Sequence, residues 1–127
     1  MSNTIQGHYD RSAVAVTGNK TLTAADVAIV QNVTVDGVVI TLPSTALGLT
    51  FTFRNGGNYD GKIGFSVSPA AADGITGNGF TATINKDAIN TKATSKTGDE
   101  FTIFGTGTAG VTAWTFQNVT GTIAREA

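Results

Sequence analysis

Among the 127 residues, few could do acid–base, nucleophilic or metal chemistry: one histidine, nine carboxylates and no cysteine. A hydroxyl nucleophile needs a base held rigidly against it. His8 lies in a polar stretch, MSNTIQGHYDR at 1–11, and reads as an arm or interface residue rather than a catalytic base. Asp36, Asp60 and Asp73 each precede a glycine and Asp99 follows one, which is turn chemistry. The other carboxylates, Asp10, Asp26, Asp87, Glu100 and Glu126, show no spacing that sets two across a cleft as glycoside hydrolysis requires. Asn55, Asn58 and Asp60 offer hard oxygen ligands in a glycine-rich stretch, but without the ligand spacing of a known calcium loop. Gly77-Asn78-Gly79 and Gly105-Thr106-Gly107 lack both the Gly-Lys-Ser/Thr ending and the strand-to-helix context of phosphate loops. The expectation is a protein with no catalytic residue, no cofactor and no metal.

The elements that would position any site are strands. Twenty-two threonines and 16 glycines stand beside two glutamates and one methionine, a composition that favours β-branched strands and turns over helix. Large apolar residues recur with period two at Val14/Val16, Val33/Val35, Val38/Ile40/Leu42, Leu49/Phe51/Phe53 and Ile63/Phe65/Val67. Each set therefore shares one sheet face. Further strands are expected at Phe80–Ile84, Glu100–Phe104 and Val111–Val119. The aromatic residues fall within these alternations and read as core.

Asp36-Gly37, Asn55-Gly56-Gly57-Asn58, Asp60-Gly61, Asp73-Gly74, Gly77-Asn78-Gly79 and the GTGTAG stretch at 105–110 are turn signals, several of them expected as hairpin tips. Gly18-Asn19-Lys20-Thr21 reads the same way. Thr23-Ala24-Ala25-Asp26 looks like a capped turn, and NKDAIN at 85–90 like one helical turn. No regular internal repeat is visible. The fold expected is all-β: a compact antiparallel β-sandwich or jelly-roll-like barrel of about eight strands, residues 18–127, preceded by an extended N-terminal arm, residues 1–17.

A net charge of −1 gives no basic stripe for nucleic acid or anionic lipid. No apolar run approaches the roughly 20 residues of a membrane-spanning helix. Met1-Ser2-Asn3-Thr4 does not open a signal peptide with a basic region and an apolar core.

The succession TLTAADVAIVQNVTVDGVVITLPSTALGLTFTFRNGG at 21–57, DGKIGFSVSPAAADGITGNG at 60–79 and INTKATSKTGDEFTIFGTGTAGVTAWTFQNVTGTIAREA at 89–127 resembles small capsid decoration, or cement, proteins of tailed bacteriophages. The resemblance covers most of the chain. It departs from that pattern at Val111-Thr112-Ala113-Trp114 and Gly121-Thr122-Ile123. It implies a protein made in the bacterial cytoplasm and located on the outer surface of the virion capsid. Its implied partners are the major capsid protein and itself, as a homotrimer, without nucleic acid or membrane. On this reading Ile5, His8, Tyr9 and Arg11 are the capsid-contact candidates. The alternative is a trimeric tail-fibre or receptor-binding β module, although the ends carry no coiled-coil heptads.

Overall fold

A computed structural model describes residues 11–127, in which eleven short strands form two sheets. β1 (Ser12–Val16) lies in the first sheet, β2 (Lys20–Thr21) in the second, β3 (Ile29–Val33) in the first and β4 (Val38–Thr41) in the second. β5 (Thr50–Asn55), β6 (Phe65–Ser68), β7 (Ile75–Thr76) and β8 (Ala88–Asn90) continue this alternation. β9 (Glu100–Gly105) and β10 (Trp114–Thr120) both stay in the first sheet, and β11 (Ala124–Arg125) joins the second. The strand orders are β1-β3-β5-β9-β10-β7 and β11-β8-β6-β4-β2.

The protein is all-β, as the alternation requires, but the sheets are mixed rather than antiparallel. β1, β3 and β5 run parallel, as do β2, β4 and β6. Parallel neighbours cannot be joined by a tight turn and need a crossover. Here each crossover is a strand of the opposite sheet, so residues 12–68 wind as a coil. From β5 onward the pairing is antiparallel, through β9 and β10 in one sheet and β8 and β11 in the other, except that the edge strand β7 runs parallel to β10.

This topology corrects several expectations. Asp36-Gly37 is no hairpin tip: it carries the chain from β3 in one sheet to β4 in the other, with Gly37 at φ 82°. The Gly18–Thr21 and 55–61 turns likewise change sheet. Of the expected hairpins, 105–110 does lie between sequence-adjacent antiparallel strands, β9 and β10. Gly77-Asn78-Gly79 makes its turn, with Phe80 N donating to Gly77 O at 2.9 Å. Yet 80–83 joins no ladder, and a lone Gly74–Ile84 bridge closes the excursion. Phe80 instead packs edge-on against Phe116, centroids 4.9 Å apart. NKDAIN contributes strand β8, not a helical turn. Thr23 does cap a single 3-10 turn, Ala24–Asp26, with the Asp26 carboxylate accepting from Thr23 N at 2.8 Å. Ser12–Val16, within the expected arm, is the edge strand β1.

The core fills the space between the sheets. Along β5, Phe51, Phe53 and Asn55 point inward while Thr50, Thr52 and Arg54 are half-buried on the outer face. Phe53 meets Phe101 at 5.1 Å between centroids, Phe101 meets Phe116 at 5.6 Å and Phe51 meets Trp114 at 5.6 Å. Burying each large apolar side chain contributes about 1.5–3 kcal/mol relative to exposure. Phe51, Phe53, Phe65, Phe101 and Trp114 are all buried, so these aromatics belong to the core. Phe104 differs: it pairs with Thr50 and Thr115 on the outer face and is half-buried.

Candidate functional site

The loops gather at two poles of the sandwich, and the two poles differ in chemistry. At one, loops 34–37, 56–64 and 91–99 carry Asp36, Asp60, Lys62, Lys92, Lys96 and Asp99. At the other, loops 42–49, 69–74 and 105–113 form a cluster whose single ionisable residue, Asp73, is buried, while Asp26, Lys86, Asp87 and Glu126 stand on neighbouring segments at the same end.

The charged pole is organised from inside by a chain of buried polar side chains. Asn55 Nδ2 donates to Asn90 Oδ1 at 2.7 Å, linking β5 of one sheet to β8 of the other. Asn90 Nδ2 donates to Asp99 Oδ2 at 3.0 Å, and the same carboxylate oxygen accepts from Lys96 N at 2.9 Å. Ser95 Oγ donates to Ile63 O at 2.7 Å. Gly121, at φ 92°, passes so close to Asp99 that a Cβ there would collide with its carboxylate. Buried polar groups are tolerated when so paired. Outside this chain, Asp36 Oδ1 accepts from Gly64 N at 2.9 Å and Oδ2 receives Lys92 Nζ at 3.2 Å. The Gly64 amide, and then Lys92, hold the Asp36 carboxyl below the usual carboxylate range. An open dip of about 220 Å³ lies beside this pair, with Gly37, Gly64 and Ile89 in its lining.

The turn reading of the aspartates therefore describes what they do. Asp36, Asp60, Asp73 and Asp99 all accept backbone N–H groups. Asn55, weighed above as a cation ligand, is buried and spends its amide on Ile63 O, Asn90 and Gly57 N. Among the described residues no three His, Cys, Asp or Glu side chains converge as a metal site would need.

The loop cluster at the other pole is tied through the backbone. Asp73 accepts from Thr45 N at 3.2 Å and Gly110 N at 3.4 Å. Thr45 Oγ1 donates to Ala113 O at 2.6 Å, and Gly48 N to Gly105 O at 2.9 Å. Leu49 N donates to Ala46 O across a turn whose third residue, Gly48, has φ 86°. A type II turn requires positive φ at that position. Leu47 occupies the corner of this turn, 77% exposed, on a loop fixed at both shoulders. Sequence reasoning missed it because Leu47 and Leu49 share one spacing, and it is the turn that aims Leu47 outward.

Of the capsid-contact candidates, Ile5, His8 and Tyr9 lie outside the described residues. Arg11 is described, and its guanidinium grips Glu100 through two bonds, Nη1 to Oε2 at 2.8 Å and Nη2 to Oε1 at 2.9 Å. Its hydrogen bond and charge contact with Glu100 hold the guanidinium pKa above its ordinary value. The bridge ties the entry to β1 to the start of β9. No helix among the described residues is long and apolar enough to cross a membrane.

Comparison with protein-family models and with curated proteins returns no match to this chain.

Proposed function

We propose that the protein is a structural component of a tailed-phage virion, binding the outer surface of the capsid and stabilising the shell. The observation that carries this reading is the uncharged loop cluster of 42–49, 69–74 and 105–113, pre-organised and displaying Leu47 at 77% exposure. A loop whose backbone is fixed in this way loses little backbone freedom on docking, which favours affinity. The partner, the major capsid protein, is the one that the resemblance noted in the sequence implies.

The mechanism is mass action. A ligand that binds the assembled shell and not its dissociated subunits favours assembly by about 2.7 kcal/mol per site at 100 times its dissociation constant. Self-association multiplies weak contacts on one body into avidity. The threefold order implied by the similarity rests on that similarity alone.

Co-sedimentation with capsids lacking the protein tests the reading. Saturable binding and a more heat-resistant shell are expected. Binding of host glycans with no capsid binding would favour the tail-fibre alternative. Removing residues 1–11 is expected to weaken capsid binding if Ile5, His8, Tyr9 and Arg11 contribute contacts; undiminished binding would remove the arm from the interface.

A further inference from the structure

Two sheets of open strands have four edges, and here they are unequal. β2, β7 and β11 are each two residues long, and β2 and β11 carry Lys20 and Arg125. Short strands and charged side chains are how folds blunt an edge against further pairing. β1 is the exception: five residues, Ser12-Ala13-Val14-Ala15-Val16, with no charge and no proline. Among the described residues it has a neighbour on one side, β3.

The open side of β1 can be assigned residue by residue. Val16 O accepts from Thr34 N, so the backbone groups of Val16 face β3. Alternate residues of a strand direct their N–H and C=O to opposite sides, so those of Ala13 and Ala15 face outward. The side chains add a second observation. Val14 is in register with Gln31, which is buried and in register with the core residue Phe53, so Val14 points between the sheets. It is nevertheless 39% exposed, because the opposite sheet ends in the two-residue β2. The mouth of the sandwich is open at Val14.

We propose that two copies of this chain pair β1 against β1 about a twofold axis, antiparallel, with Val14 opposite Val14. Ala13 of each copy then faces Ala15 of the other. Since both have outward N–H and C=O groups, they form the hydrogen-bonded pairs of an antiparallel ladder, and Val14 falls at the non-hydrogen-bonded position where side chains approach most closely. The segment is self-complementary in size, small against small and valine against valine. Each Val14 closes the other copy's open mouth, and the first sheet continues across the axis. The contact is isologous, with the same patch on both copies. It differs from the threefold order implied by the resemblance, and it holds or fails independently of capsid binding. A five-residue pairing is small beside standard stable interfaces, so the dimer forms in a concentration-dependent equilibrium.

Sedimentation equilibrium of the full-length protein over a wide concentration range tests this. A monomer–dimer equilibrium is expected. Ala15→Pro removes an N–H that β3 does not use, at an edge position that tolerates proline, and is expected to remain monomeric with an unchanged unfolding midpoint. Val14→Cys supplies a check that does not depend on that variant folding. The chain has no cysteine of its own, and a non-hydrogen-bonded pair sits about 4.5 Å apart between Cα atoms, within disulfide reach. Mild oxidation is expected to give a covalent dimer, whereas Thr50→Cys on the outer face gives none. A monomer at every concentration, a trimer, or failure of Val14→Cys to cross-link faster than Thr50→Cys would each overturn the proposal.

Discussion

Each pole of the sandwich is built around a buried aspartate, and the two do different work. Asp99 ends a chain of side chains, Asn55 to Asn90 to Asp99, that crosses from one sheet to the other. Asp73 takes backbone N–H groups from loops 42–49 and 105–113. The first ties together the layers of the fold; the second ties together loops on its surface. It follows that damage at the Asp99 pole should unfold the protein, while damage at the Asp73 loop cluster should loosen a surface and spare the body.

The largest expected effect is at Asn90. Asn90→Leu removes the buried hydrogen bonds of Asn90 to Asn55 and to the Asp99 carboxylate, leaving Asn55 with Ile63 O and Gly57 N and Asp99 with Lys96 N, and should cost about 2–4 kcal/mol, since one of the lost bonds is to a charged group. Urea denaturation measures it, and a loss below about 1 kcal/mol would show that the chain is not what joins the sheets. Next comes Asp73→Ala, expected to cost about 1–2 kcal/mol by loss of two hydrogen bonds to a carboxylate. Hydrogen exchange should quicken at Thr45 and Gly110 and stay slow in β5 and β9; equal loosening of all four segments would erase the distinction between the poles.

Smaller effects come from pH, with opposite signs at two carboxylates. The Asp36 carboxyl is held low by the Gly64 amide and by Lys92. Its stabilisation is present above the unfolded carboxylate range and lost as pH falls through the folded value, so Asp36→Asn should lower the unfolding midpoint at neutral pH and not in acid. Burial pushes Asp87 up, against a hydrogen bond from Ser68 and with the charge of Glu126 adding to the rise. The folded state there holds the proton more tightly, and stability is lost as pH climbs from the unfolded towards the folded value. Asp87→Asn should therefore raise the midpoint at neutral pH, with the gain vanishing in acid; matching profiles for the two variants would contradict these environments. The smallest stability effect belongs to Leu47→Ser, within about 0.5 kcal/mol because the side chain is exposed. Thermal unfolding checks it, and a loss of several degrees would mean that Leu47 is packed rather than displayed.

Much of the body was legible in the sequence. Period two at Val38–Leu42, Leu49–Phe53 and Ile63–Val67 assigns the core face of β4, β5 and β6, with Leu42, Leu49 and Ile63 falling just outside the strands, and Thr23 with Asp26 marks its capped turn. Strand direction was not legible, because alternation is identical in parallel and antiparallel neighbours. Asp36-Gly37 supplies the same positive φ whether the chain folds back on its own sheet or passes to the other. Phe80–Ile84 alternates too, yet Phe80 covers Phe116 and leaves Thr81 and Ala82 exposed rather than paired. The polar chain at Asn55, Asn90 and Asp99 depends on segments distant in sequence, so no local pattern announces it, while Leu47 is aimed outward by the turn at 46–49, which its period-two spacing with Leu49 does not reveal.

The reading of the protein as a shell component turns on whether the loop cluster that displays Leu47 binds a capsid. Co-sedimentation of wild type and Leu47→Asp with capsids lacking the protein tests this most directly. Saturable binding by the wild type is expected, with binding lost in a variant that keeps its fold. Wild-type protein left wholly in the supernatant would contradict the function, and equal binding by both proteins would contradict the site.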